Sequence, residues 1–277
     1  MDSNGDAARR FGHMSVPGGH VSGRRAPAQG PASERRSSRW RLHLLQAFEL
    51  VRGDTPLQLP TAAQRLVALL AMLDRPADRL YVAGVLWPES SERLAGGSLR
   101  TALWGLRRAA PGLVLMIGRR LALTPALEVD YHAVIERTHR LVTGDTDGVE
   151  APVDSAELTD QLLPDWYEDW LAADRERLRQ LQLHALEALS KRLRGRAEFA
   201  RAIEVAGMAV AAEPTRESAR TELIKAHLAE GNVDEAIRQF ESFRRVLEGE
   251  LGVEPSRRLV DLFPANGVER TRTVTPR

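Results

Sequence analysis

One stretch of the chain carries two pairs of arginines where a protein could meet a long polyanion. It reads SLRTALWGLRRAAPGLVLMIGRRLALTP from Ser98 to Pro125. Arg107-Arg108 closes a segment with leucines at helical spacing, and Arg119-Arg120 follows a glycine between two strand-like runs. Guanidinium groups bind phosphate oxygens, and they donate two hydrogen bonds to guanine O6 and N7. The alternative is that these arginines only keep the surface soluble.

The leucines decide which side chains of this segment face away from the core. At about 100° per residue, Leu99, Leu103 and Leu106 fall within about 60° of one another on a helix. The opposite side carries the candidate DNA-binding residues Arg100, Thr101, Trp104, Arg107 and Arg108. Arginines on an outer helix face are commonly just solvated, but an outward tryptophan favours a partner.

Two further sites complete the candidate surface. We expect the helix to begin at the "GGS" sequence, where free N–H groups near Ser98 suit a phosphate. Arg119 and Arg120 are expected at the tip of a hairpin, where they hold the adjacent DNA backbone or minor groove.

The elements around this stretch predict a winged helix-turn-helix. RLHLLQAFELV and LQLP alternate as short strands, and RGDTP between them predicts a turn. TAAQRLVALLAML predicts a helix with Thr61 and Gln64 at capping-box spacing, and RLYVAGVLW predicts a second helix before Pro88. A third helix follows from about Leu94 to Ala109, and then LVLMI and RLALT form a β-hairpin.

The distribution of charge divides the chain into a basic and an acidic part. Residues 39–127 carry 12 basic and 6 acidic groups, whereas residues 128–263 carry 18 basic and 28 acidic groups. This asymmetry is typical of a protein in which one part meets nucleic acid. We therefore expect a DNA-binding domain at 39–127, a helical domain at 128–263, and disordered tails at 1–38 and 264–277.

Several classes of function are disfavoured. The chain has no cysteine, no nucleophile elbow and no glycine-rich phosphate loop, so we expect neither an enzyme nor a bound cofactor. His132 and His139 lie seven residues apart with no third ligand nearby, so we expect no metal site. The sequence also has no long apolar run and no secretory signal, which predicts a cytoplasmic protein without a membrane segment.

The acidic part predicts a pair of helical repeats. Ala202-Ile203 and Ala236-Ile237 are 34 residues apart, as are Leu189 and Leu223. This is the tetratricopeptide period, and such repeats stack into curved surfaces that bind proteins. We expect one helical pair from Asp174 to Ala212 and a second from Thr215 to Glu248.

The chain resembles a known family over about residues 40–263. The resemblance rests on two regions. One is an OmpR-type winged helix with the Leu86-Trp87 and Leu106–Arg108 sequences, and the other is the C-terminal stretch that ends in ELGVEPS at Glu250–Ser256. Together they are similar to the bacterial transcriptional activator domain family, whose members include the SARP-type regulators of actinomycete antibiotic clusters.

This resemblance implies a homodimeric activator that binds direct repeats in double-stranded DNA and recruits RNA polymerase. The chain lacks the G-x-x-x-x-G-K-[ST] motif of the larger members, which implies an ATP-independent type. One alternative remains open, because a winged helix also serves as a protein-contact module. In that case the chain is an adaptor whose repeats bind a partner and whose winged helix no longer reads DNA.

Overall fold

The computed structural model describes residues 39–144 and 155–263, and it confirms a mainly helical chain with a small β component. The expected tails at 1–38 and 264–277 lie outside these residues, as does most of the acidic loop after Thr143. The strands are β1 (Trp40–His43), β2 (Glu49–Arg52), β3 (Thr55–Leu57), β4 (Ala77–Asp78), β5 (Val114–Ile117), β6 (Arg120–Leu123) and β7 (Leu127–Val129). The first helices are α1 (Thr61–Leu73), α2 (Arg79–Leu86), α3 (Glu92–Ala109) and α4 (Asp130–Thr143).

The strands form two small sheets. In the first sheet the order is β3-β2-β1-β7, with β7 parallel to β1 and the other pairs antiparallel. In the second the order is β4-β6-β5, and both pairs are antiparallel. The expected hairpin is therefore confirmed. The predicted strand RLHLLQAFELV is instead divided into β1 and β2, and the strand predicted at LQLP lies at Thr55–Leu57, mostly inside the predicted turn. Strands β4 and β7 were not predicted, because two or three residues are too short to show an alternating pattern.

Helix α1 begins as expected but is capped differently. Pro60 occupies the N-cap, and no side chain bonds to the free N–H groups there. Gln64 Nε2 donates instead to the Leu59 carbonyl over 2.8 Å. The predicted capping box is therefore wrong, because Thr61 is already the first helical residue and its hydroxyl is not at the capping position.

A single apolar core joins the two sheets to the first three helices. Its fully buried members include Leu66 of α1, Leu99 of α3 and Leu121 of β6, each at most 1% exposed. The same cluster takes in Tyr131 of α4 and extends to Leu178 in the helical part. The basic and acidic parts of the chain thus share buried apolar surface, which resists their separation.

The helical part consists of two antiparallel pairs and a short last helix. Its helices are α5 (Ala172–Gly195), α6 (Phe199–Ala212), α7 (Glu217–Glu230), α8 (Val233–Leu251) and α9 (Arg257–Val260). Short 3₁₀ turns at Ala156–Thr159 and Asp169–Leu171 precede them. Ala202 and Ala236 are both fully buried, so positions 34 residues apart occupy matching places in α6 and α8. This confirms the two predicted helical pairs.

The segment before α5 attaches the helical part to the winged helix. Leu163 N donates to the Leu44 carbonyl over 2.9 Å, and Phe48 stacks on Trp166 with ring centroids 5.8 Å apart. Glu168 accepts a hydrogen bond of 2.7 Å from Arg65 Nη2 of α1. These contacts join residues more than 100 positions apart in the chain, so they hold the two parts in a defined arrangement.

We expect Glu168→Gln to lower the free energy of unfolding by about 1–3 kcal/mol, because it leaves the partly buried Arg65 guanidinium without its counter-charge. Urea unfolding followed by circular dichroism measures this change. Glu89→Gln is the matched control, since Glu89 is exposed and has no ion pair among the described residues. An unfolding energy within about 0.5 kcal/mol of wild type for both variants would show that the pair does not hold the two parts together.

Candidate nucleic-acid interface

Helix α3 is oriented by a buried stripe on one side. Leu99, Leu103 and Leu106 are 1%, 7% and 2% exposed, and α3 packs with this side against α1 and α2. The period of 3.6 residues then turns the other side of the helix to solvent. The sequence-based assignment of the two faces of α3 is confirmed.

The outer face of α3 presents the expected residues. The five that are exposed are Arg100, Thr101, Trp104, Arg107 and Arg108. The hydroxyl of Thr101 donates to the Gly97 carbonyl over 3.3 Å, which leaves its oxygen free to accept. The face therefore offers several guanidinium donors, one hydroxyl and one indole ring on a rigid helix.

The expected helix N-terminus at the "GGS" sequence, with free N–H groups for a phosphate, is wrong, whereas the predicted span from about Leu94 to Ala109 is close to the observed one. Helix α3 begins at Glu92, so Ser98 lies almost two turns inside it and its N–H belongs to the helical ladder. A side-chain carbon on Gly97 would lie 3.6 Å from the Arg100 guanidinium, an ordinary van der Waals contact, so the fold also accepts alanine at this position.

Trp104 has a neighbour on its own helix. Its side chain is 61% exposed, and the Arg108 guanidinium carbon lies 4.9 Å from the centre of its ring. Residues four apart on a helix meet in this way, and the cation–π contact restrains both side chains. An exposed, preordered tryptophan and arginine form a surface that loses little conformational freedom on binding.

The hairpin of β5 and β6 lies beside the C-terminal half of α3. Arg107 Nη2 lies 3.2 Å from the Met116 sulfur of β5, which places the hairpin next to the outer face of α3. Ile117 pairs with Arg120, so the loop between them consists of Gly118 and Arg119 alone. Gly118 has a φ of +61°, the conformation that the first central residue of a type II′ turn requires. Arg119 and Arg120 are both exposed at this tip.

The charges on this surface are not neutralised within the chain. Among residues 39–144 and 155–263, no carboxylate lies within 4.0 Å of the guanidinium groups of Arg100, Arg107, Arg108, Arg119 or Arg120. The helical part differs, because many of its arginines are ion-paired, as in Arg216 Nε to Glu187 Oε1 at 2.7 Å. Within the described residues, α3 and the hairpin thus carry a group of exposed arginines without carboxylate partners.

Two residues of this surface, Arg93 and Leu94, were not predicted from the sequence as site residues. Both are exposed in the first turns of α3, and they border an open depression shared with Trp87 and Arg100. Arg93 lies about 120° from Leu99 around the helix and so belongs to the outer face. The signal was Pro88 followed by Ser90 and Ser91, which marks a helix start earlier than the glycines do.

The described part of the chain shows neither a metal centre nor a membrane-spanning helix. Within residues 39–144 and 155–263, no three acidic or histidine side chains come together as a metal centre needs. None of the helices described there is long and apolar enough to span a bilayer.

We expect Gly118→Ala and Gly84→Ala to change stability in opposite directions. An alanine at residue 118 must adopt the left-handed conformation, which lowers the free energy of unfolding by about 1–2 kcal/mol. Gly84 lies in α2 with open space around it, so alanine there raises that energy by about 0.5–1 kcal/mol. Chemical denaturation measures both, and equal shifts of the same sign would contradict the turn geometry.

Comparison with known proteins identifies a known domain in one part of the chain. Residues 155–265 match the family model of the bacterial transcriptional activator domain. No curated protein matches the sequence significantly. The fold is similar to that of Mycobacterium tuberculosis EmbR in complex with a low affinity phosphopeptide, with a TM-score of 0.67 and 18% identity. The match covers 86% of this chain and 66% of the EmbR chain, so this chain spans just under two thirds of that protein.

These findings confirm the resemblance inferred from the sequence. The identity to EmbR is low, so that comparison supports the fold, whereas the family match identifies the helical repeats. The matched residues include the segment that docks on the winged helix and all of helices α5 to α9. Residues 155–265 of this chain therefore form a bacterial transcriptional activator domain.

Proposed function

We propose that the chain is a sequence-specific DNA-binding transcriptional regulator in which α3 enters the major groove. The observation that carries this proposal is the set of exposed arginines on α3 and the hairpin that have no carboxylate partner among the described residues. Binding to phosphate and base edges would provide the missing counter-charges and acceptors. A helix and a wing side by side match the docking geometry of a winged helix-turn-helix.

The residues divide into two roles under this proposal. Arg100, Thr101, Trp104, Arg107 and Arg108 face the base edges and the phosphates that border the major groove. Arg119 and Arg120 hold the adjacent backbone or minor groove. Arg93, in the first turn of α3, reaches a phosphate at the other end of the helix. Ser98 contributes through its hydroxyl at most, because its N–H is bonded within the helix.

The effect of the chain on transcription is proposed from the family match of residues 155–265. A transcriptional activator domain implies that the chain raises transcription, contacts RNA polymerase and acts as a homodimer on direct repeats. The domain boundaries at residues 39–127 and 128–263 belong to the same proposal. The contacts of Glu168 with Arg65 would keep the polymerase-facing part in a fixed orientation to bound DNA.

We expect Arg107→Ala to weaken binding to the preferred site by about 1–3 kcal/mol and to relax the preference at one base pair, because its guanidinium reads a guanine. Fluorescence anisotropy on the preferred site and on single-base variants of it measures both effects. Arg196→Ala in the helical part is the matched control, since Arg196 is also exposed and unpaired but is not on this face. Wild-type affinity and specificity for Arg107→Ala would show that α3 is not oriented as proposed.

We expect Arg119→Ala to weaken binding to all DNA sequences about equally, because the wing contacts the backbone rather than the bases. It should also reduce the slope of log affinity against log salt by about 0.9, the contribution of one phosphate contact. Titrations at several salt concentrations give this slope. An unchanged slope, or a loss confined to one sequence, would contradict the role of the wing.

The direct test of the function uses the full chain and DNA from upstream of its own coding region. Anisotropy titrations compare fragments of that region with scrambled DNA of the same composition. Strong preference for one fragment, with affinity that falls steeply as salt rises, is the expected result. Equal, weak binding to all fragments would overturn the proposal and favour the adaptor that the sequence also allows.

A further inference from the structure

A second charged surface lies in the helical part of the chain, which carries more acidic than basic groups. The chain has 39 basic residues but only two lysines, Lys191 and Lys225. Both line one groove, which also receives Arg258. Three cationic side chains therefore converge within a part of the chain whose net charge is negative.

The groove is built from facing sides of two helices. Helix α5 contributes His184, Glu187, Ala188 and Lys191, which recur at intervals of three and four residues. Helix α7 contributes Ser218, Thr221 and Lys225 with the same spacing, and it packs against α5. Stacked helical repeats commonly bind their partners on surfaces of this kind.

The end of the repeat region brings the third cation into place. Ser256 N donates to Glu217 Oε2 of α7 over 2.9 Å, and the Ser256 hydroxyl bonds to the other oxygen of the same carboxylate. This contact fixes the start of α9 beside α7 and brings Arg258 to the rim of the groove.

The carboxylates that line the groove already have partners. Glu187 accepts hydrogen bonds of 2.7 Å from Arg216 Nε and from Ser218 Oγ. Glu222 accepts from Lys225 Nζ at 3.1 Å and from Arg194 Nη2 at 3.0 Å, and Glu217 is held by Ser256. Lys191 and Arg258, in contrast, have no carboxylate within 4.0 Å among the described residues. With Arg216 and Arg194 included, five cations at the groove outnumber its three carboxylates, so its excess charge is positive.

We propose that this groove binds an acidic peptide segment of a partner protein. The two free cations would pair with carboxylates of the peptide. The Thr221 hydroxyl, which donates to the Glu217 carbonyl over 2.7 Å, would accept from a peptide N–H between them. The groove encloses about 350 Å³, within the range of about 300–1,000 Å³ typical of pockets that bury ligands larger than a single ion. Its length along two helices suits an extended chain rather than an isolated phosphate.

The test uses the full chain and a fluorescein-labelled peptide of alternating glutamate and serine, compared with one of alternating glutamine and serine. We expect the acidic peptide to bind and the neutral peptide not to bind. The Lys191→Gln/Arg258→Gln variant should raise the Kd for the acidic peptide about tenfold. The Lys191→Arg/Arg258→Lys variant keeps both charges and should bind as wild type.

Two matched variants separate this site from other cationic surfaces. Arg196→Gln/Arg257→Gln removes two exposed charges, one directly after α5 and one in α9, that do not line the groove, and it should bind the peptide as wild type. Arg119→Gln/Arg120→Gln removes charge from the wing, and it should lose DNA affinity but keep peptide affinity. Failure of the proposed DNA binding would therefore leave this result unaffected.

Several outcomes would overturn the proposal. One is equal affinity for the acidic and the neutral peptide, and another is an unchanged Kd in Lys191→Gln/Arg258→Gln. Loss of binding in the wing variant instead of the groove variant would move the site to the winged helix. Displacement of the peptide by inorganic phosphate at constant ionic strength would show a small-anion site.

Discussion

The packing of Leu99, Leu103 and Leu106 against α1 and α2 is the constraint on which the candidate interface depends. Burying these side chains fixes the rotation of α3 about its axis, and a different rotation would turn its arginines into the core. The same packing gives the helix a rigid base, so the exposed guanidinium groups do not lose backbone freedom on binding. Arg108 and Trp104 extend this order to the side chains themselves.

The pairing of arginines with carboxylates differs between the helical part and the surface formed by α3 and the hairpin. In the helical part, carboxylates pair with several arginines, as Glu187 does with Arg216. On α3 and the wing the arginines have no such partners among the described residues, so their field extends into solvent and attracts a polyanion. The groove at Lys191 and Arg258 repeats this arrangement on a smaller scale, within the acidic part of the chain.

Periodicity made much of the molecule predictable from the sequence. Helix α1, the two faces of α3 and the helical pairs with Ala202 and Ala236 follow from spacings of 3.6 and 34 residues. The free N–H groups expected at the glycines are not there, because α3 already begins at Glu92 and Ser98 lies inside it. The hydrogen bond of Arg65 with Glu168 was not predictable, since no local pattern relates residues 103 positions apart.

The measurement that tests the central claim most directly is methylation of guanine N7 by dimethyl sulfate on the DNA fragment that the full chain prefers. Guanine N7 lies in the major groove, where α3 is proposed to bind. We expect specific guanines to become protected in the complex and Arg107→Ala to restore the reactivity of at least one of them. Unchanged guanine reactivity in a complex that is fully formed would contradict the entry of α3 into the major groove.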